Sequence, residues 1–207
     1  MFRLWRRMDE EGRQRVWRLY GWFTGLMMCG SCFGAVSWAS RMMSQVNFYQ
    51  ANDLTATGNA EVVPQANSFL ALTWSWAAAH HGTYATEFLF LSAAQLMVLD
   101  RMSDFVTSQG GGARKWWAAG GRAVMAAVVL CNAVGLATSV AAAIYFQKSA
   151  DAYSAASVLY ASNNTKDAKY YVQLAFNISS ARSVCEVTVL LLIVLVFAVV
   201  GVACIGC

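Results

Sequence analysis

The sequence predicts an all-α integral membrane protein: a four-helix bundle built from two long helical hairpins whose helices extend beyond the bilayer on its outer side. Four long apolar stretches alternate with short polar breaks. Hydrophobic residues make up 58% of the 207 residues and charged residues 13%, whereas a soluble domain carries about 25% charged residues. Pro64 is the one proline, so little in the chain interrupts helix. The alternating segments of about ten residues that are typical of membrane β-barrels are missing from the sequence.

The chain begins with a basic amphipathic segment, residues 1–18, which we expect to lie at the cytoplasmic membrane surface. Six of these residues are arginine. No apolar region precedes the first span, so we expect no removable signal peptide and a first span that serves as signal anchor. The net charge of +4 is concentrated in this segment. That distribution indicates attraction to a lipid surface and not to nucleic acid.

The bundle itself is predicted to occupy residues 19–207, with its first span at 19–40. Within that span, Gly21 and Gly25 form one small-residue pair, and Gly30 and Gly34 form another. Glycine at a spacing of four lets two helix backbones approach closely, so these residues are predicted to pack against another helix. A polar connection at 50–63 follows, and Pro64 suits the first turn of the next helix.

The remaining spans are predicted at 84–103, 123–146 and 184–207. The second helix runs from Pro64 to about Thr107, or roughly 65 Å at 1.5 Å per residue. A span needs only about 20 residues, so the helices must project from the membrane. We expect outer helical extensions at 44–82 and 147–182. The run Gly110 to Gly112 breaks helices two and three, and Asn163-Asn164 breaks helices three and four.

Charge predicts that both termini face the cytosol. Arginine and lysine cluster before the first span and around the turn between spans two and three, whereas none lies between Arg41 and Arg101. Two glycosylation sequons begin at Asn163 and Asn177, on the side that the charges assign to the exterior. Together these features favour a eukaryotic plasma membrane or endomembrane.

Three polar residues fall within or beside the predicted spans: Glu87, Asn132 and Glu186. An intramembrane ionisable group is a functional candidate, because it is costly to keep there. Glu186 has Arg182 four residues earlier, which predicts an ion pair. Asn132 is predicted to bridge helices by hydrogen bonding.

Cysteine and histidine do not form a recognisable site. Most of the six cysteines fall in apolar stretches, where they are expected to act as small packing residues. Cys204 and Cys207 are candidates for acylation near the cytoplasmic face. His80 and His81 point to different sides of one helix, so they cannot both bind one metal ion. We expect no catalytic group, no cofactor and no metal.

The sequence therefore predicts a non-enzymatic structural or accessory membrane protein. We expect it to associate through helix packing with itself or with a larger membrane complex, and to have the lipid bilayer but no nucleic acid as a partner. The alternative is a subunit of an oligomeric channel or transporter, with Glu87, Asn132 and Glu186 near the pathway. No basic residue follows the last span, so a longer protein with further spans stays open.

Overall fold

Four long helices account for almost all of the described chain. The computed structural model describes residues 10–109, 111–159 and 162–205, with the side chains at 11–13, 15–16, 102–122, 159, 162–163, 193, 196–197 and 199–205 left aside. The helices are α1 (Glu10–Ala56), α2 (Val63–Gln109), α3 (Gly111–Leu159) and α4 (Ser162–Ile205). At 1.5 Å per residue, the longest three are about 70 Å long. The predicted all-helical class with four long helices is confirmed, and the described part contains no strand.

Helix α1 continues through the first seven residues of the polar connection predicted at 50–63. The stretch 50–56 is polar in sequence, but Ala51 is 1% exposed. Packing of this side against α2 therefore outweighs the local polarity. The other breaks also differ slightly from prediction. Helix α3 begins at Gly111, inside the glycine run, and Asn163-Asn164 lies in the first turn of α4.

The connection between α1 and α2 is a compact turn. Gly58 has φ = 66°, a left-handed conformation that favours glycine. The side chain of Asn59 accepts a hydrogen bond from the backbone N–H of Glu61 (3.0 Å) and caps the 3-10 turn Ala60–Val62. Pro64 occupies the first turn of α2, where its missing N–H has no helical acceptor to lose.

The helices pack mainly with their neighbours in sequence. Helix α1 lies along α2, α2 along α3, and α3 along α4. Side chains of α2 also reach α4, because Trp74 packs against Phe176 with 6.1 Å between ring centroids. One buried cluster contains Leu99, Val128 and Val189, which come from α2, α3 and α4. Helices α2 to α4 thus share a core, and α1 forms an outer layer against α2.

Three helices contain stretches long and apolar enough to cross a membrane. These stretches are Trp17–Ala56 in α1, Ala123–Val158 in α3 and Asn164–Leu192 in α4. The described part of α2 has no such stretch, since Glu87, Gln95 and Asp100 interrupt its apolar residues. These findings are compatible with a membrane protein. The second predicted span, at 84–103, stays a prediction.

Candidate functional site: a seam of small residues and a buried polar network

Helix α1 meets α2 along a row of small residues, which we call the seam. Its members recur every three or four residues, so they share one face of the helix. All are buried: Gly30, Gly34, Ser37, Ser40, Ser44, Asn47 and Ala51. Short side chains allow close approach of two helices, and this is the way that helices associate in lipid.

Two of the glycines predicted to pack helices lie in the seam. A Cβ atom at Gly34 would sit 2.6 Å from Oε1 of Glu87, and one at Gly30 would sit 3.2 Å from Cδ2 of Leu91. Gly34 therefore leaves room for the Glu87 carboxyl on the α1 side of α2. By contrast, a Cβ at Gly21 or Gly25 would meet nothing within 4 Å. These two glycines face open space.

A hydrogen-bonded histidine, His80, joins α1 to α2 about two turns before Glu87 along α2. Nδ1 of His80 lies 2.8 Å from Oγ of Ser37 and 3.0 Å from the Ser37 carbonyl oxygen. Because a carbonyl can only accept, Nδ1 of His80 carries the proton. The serine that keeps the seam narrow thus also fixes the orientation of this ring.

The neighbouring histidine belongs to the core that α2 shares with α3 and α4. His81 is 5% exposed, and its ring stacks on Phe146 with centroids 5.0 Å apart. Nη1 of Arg182 donates a hydrogen bond to Nδ1 of His81 over 3.0 Å. Arginine can only donate, so Nδ1 of His81 is unprotonated and this ring is neutral. The two adjacent histidines therefore hold opposite tautomers.

Arg182 is the centre of this polar network. Its Nε lies 3.2 Å from Oε1 of Glu186, which confirms the predicted ion pair. The two atoms form an ion pair but not a hydrogen bond, since neither atom has a hydrogen-bond partner among the described residues. The guanidinium also lies 4.4 Å from the centroid of the Tyr84 ring, a favourable cation–π distance. Arg182 thus contacts a histidine, a carboxylate and an aromatic ring at once.

The surroundings disfavour protonation of both histidines, which lie outside the predicted spans. Burial, and then the positive charge of Arg182, lowers the pKa of His81 well below its ordinary value. Burial also lowers the pKa of His80, against the opposing effect of its hydrogen bond to Ser37. The Arg41 guanidinium acts in the same direction on both rings. Neutral histidines at physiological pH agree with the hydrogen bonds above.

Further toward the C-terminal end of α2, the core contains buried polar atoms without hydrogen-bond partners among the described residues. Asn132 is 8% exposed and Ser92 is 7% exposed, and neither side chain makes a hydrogen bond within the described residues. Phe88 of α2 packs over Gly135 of α3, so in these antiparallel helices Ser92 is nearly level with Asn132. The predicted interhelical hydrogen bond of Asn132 is not formed among the described residues.

The other predicted sites are dispersed. Asn177 is exposed on α4 and accepts a hydrogen bond from Nε2 of Gln173 (3.2 Å). Asn163 and Cys204 are in α4, but their side chains lie outside the described part, as does the whole of Cys207. The four described cysteines are free thiols: Cys29, Cys32, Cys131 and Cys185. No group of three metal-binding side chains occurs among the residues that the structure describes.

Sequence reasoning missed the contact between His81 and Arg182. A signal for it exists on α4, where Ala168, Ala175 and Val189 are buried at multiples of seven residues. Arg182 completes that series and must face the same core.

Comparison of the chain with family models, curated proteins and solved structures finds no match.

Proposed function

We propose that this chain is a non-enzymatic membrane protein that associates laterally, with a second copy or with a larger membrane complex. Both termini would face the cytosol of a eukaryotic cell. The sequons Asn163 and Asn177 would lie on the outer side of a plasma membrane or endomembrane. Cys204 and Cys207 would be available for acylation on the inner side.

The arrangement of α2 supports four crossings in place of three. Helix α2 packs along both α1 and α3, which each contain a candidate span. The connections are too short to let consecutive helices run parallel. If α1 and α3 cross the bilayer, α2 must cross between them. Its polar groups would then face protein, as Glu87 does at Gly34.

The observation that carries the association is an exposed apolar ridge on α1. Trp38, Met42, Val46 and Tyr49 follow one another at helical spacing, and each is more than half exposed. Counting about 20 residues from Leu19 places the outer edge of the hydrocarbon core near Ser40. Most of the ridge therefore lies beyond the lipid. Contiguous apolar surface outside lipid is typical of an interaction site.

This proposal is tested by co-purifying two differently tagged copies of the chain and recording native mass spectra. The variant Met42→Glu/Val46→Glu charges the ridge, whereas Gln65→Glu adds one charge at an exposed polar position on α2. We expect the wild type and Gln65→Glu to retain their partners. The ridge variant should lose roughly 90% of them, the tenfold effect of a small loss of binding free energy. Single chains in every sample, or equal retention in all three, would contradict the proposal.

A channel or transporter subunit is the second candidate. The unpartnered atoms of Asn132 and Ser92 favour it, because buried polar groups without partners are costly in a purely structural core. Glu186 belongs to the polar network of Arg182, and Glu87 faces Gly34 in the seam. Ion flux through reconstituted protein that Asn132→Leu abolishes would favour this candidate, and flux indifferent to both Asn132→Leu and Glu87→Gln would exclude it.

A further inference from the structure

The carboxyl group of Glu87 is packed against the backbone of α1 at Gly34. A Cβ atom added at Gly34 would lie 2.6 Å from Oε1, 2.9 Å from Cδ and 3.2 Å from Oε2 of Glu87. Along α2, Glu87 lies at helical spacing between His80, which bonds to Ser37 of α1, and Leu91, which faces Gly30 of α1. The carboxyl is therefore directed into the seam.

The helices beside Glu87 bring no positive charge to it. Helix α1 has no charged residue between Arg18 and Arg41, and α3 has none between Arg122 and Lys148. Arg41 lies seven residues beyond Gly34, about 10 Å further along the helix, where it acts on the two histidines. Within the described residues, Glu87 forms neither a hydrogen bond nor an ion pair.

Helix α4 brings a second carboxylate and a guanidinium that is already engaged. Glu186 is near enough to act electrostatically on Glu87, and its like charge opposes a negative charge there. Arg182 pairs with Glu186 at 3.2 Å and donates to His81 on the core side of α2. The two carboxyls therefore have different surroundings, since Glu186 has a counter-ion and Glu87 has none among the described residues.

The proposed membrane location places Glu87 inside the hydrocarbon region. Gly34 precedes Ser40, near the outer edge of that region, by six residues, or about 9 Å along the helix. An ionised side chain at this depth is costly unless it is paired. A buried acid without a partner avoids that cost by binding a proton.

We propose that Glu87 is a proton-binding site within the membrane and keeps its proton at neutral pH. The inference rests on the membrane location proposed above and not on the lateral association. A proton removes the charge and needs no volume, in a seam with no room for a Cβ at Gly34. A metal ion would need several further ligands, and no group of three metal-binding side chains occurs within the described residues.

The test is infrared spectroscopy of the full chain in phosphatidylcholine vesicles at neutral pH. A protonated carboxyl and a carboxylate absorb at different frequencies, so the wild-type spectrum minus that of Glu87→Gln isolates Glu87. In water a glutamate is protonated in roughly one molecule in 500 at pH 7, whereas we expect most molecules to be protonated at Glu87. Glu61→Gln is the matched control, because Glu61 is exposed in the turn before α2 and should show a carboxylate.

A carboxylate signal from Glu87 would overturn the proposal. Should Glu87→Gln not fold, the wild type alone decides, through peptide mass mapping after treatment with dicyclohexylcarbodiimide, a membrane-soluble reagent for protonated carboxyls. We expect this reagent to modify Glu87 and not Glu61, and an unmodified Glu87 would contradict the proposal. Flotation of the same vesicles reports the membrane location, and native mass spectra report the number of chains per particle. Failure of either is therefore recorded separately from failure of proton binding.

Discussion

The seam between α1 and α2 differs from the core of α2, α3 and α4 in the side chains that form it. The seam is narrow and lined by Gly, Ser, Asn and Ala, so its stability depends on close approach and on the absence of side-chain volume. The core joins a charged network to aromatic stacking, with Trp74 parallel to Phe146 at 5.5 Å. The comparison teaches that the two interfaces should fail differently: the seam when volume is added, and the core when one member of a polar pair is removed.

The largest expected effect comes from breaking the polar core. Arg182→Leu leaves Nδ1 of His81 without its donor and leaves the Glu186 carboxylate without its counter-ion. Removal of one partner from a buried ion pair costs about 3–5 kcal/mol, and these two side chains are 13% and 22% exposed, so we expect a loss near the lower end of that range. Thermal or denaturant unfolding of the purified protein in detergent measures this loss.

The double variant Arg182→Leu/Glu186→Leu is the control for that effect. It removes both charges, so the penalty of an unpaired carboxylate disappears, and we expect recovery of about half the lost stability. A double variant no more stable than Arg182→Leu would show that the ion pair does not govern this core.

Added volume should break the seam by an intermediate amount. Gly34→Leu places a branched side chain where even a Cβ would lie 2.6 Å from Glu87, and we expect a loss of about 1–3 kcal/mol. Gly25→Leu makes the same change where nothing lies within 4 Å. Because leucine favours helix over glycine by nearly 1 kcal/mol, this control should unfold at the same temperature or higher. Equal losses at both positions would mean that the seam is not tightly packed.

Acid should weaken the core through His81. The folded-state pKa of His81 is depressed by burial and by Arg182, so the unfolded chain binds its proton first as pH falls. Stability is then lost as pH drops below about 6.5, by about 1 kcal/mol near pH 5.5. His81→Gln keeps an acceptor for Arg182 but removes the titration. Melting temperatures measured from pH 7.5 down should fall less steeply for this variant, and parallel curves would refute the assignment.

The smallest expected effect concerns Asn132. Its amide is buried and makes no hydrogen bond among the described residues, so replacement by leucine removes an unmet polar group. We expect Asn132→Leu to unfold with equal stability or with a gain of up to about 1 kcal/mol. A loss above that size would indicate that the amide has a partner that this arrangement of the chain does not include.

The sequence alone predicts the features that depend on neighbouring residues and misses those that depend on packing between distant residues. Local signals place the four helices, because Pro64 and the glycine run mark turns by their own backbone preferences. The ion pair of Arg182 with Glu186 is also local, four residues apart on one helix. The contact of Arg182 with His81 joins residues 101 positions apart, and only packing brings them together. The end of α1 was wrong by seven residues for the same reason, since burial of Ala51 outweighs a polar composition.

The most direct test of the account is the sidedness of α2. In a cysteine-free background, Thr57→Cys marks the turn before α2, and Asp100→Cys marks its lower end. A membrane-impermeant thiol reagent applied to sealed vesicles should label the two positions from opposite faces. Labelling of both from one face, or release of the chain from the vesicles by alkaline carbonate, would contradict the proposal that α2 crosses the bilayer between α1 and α3.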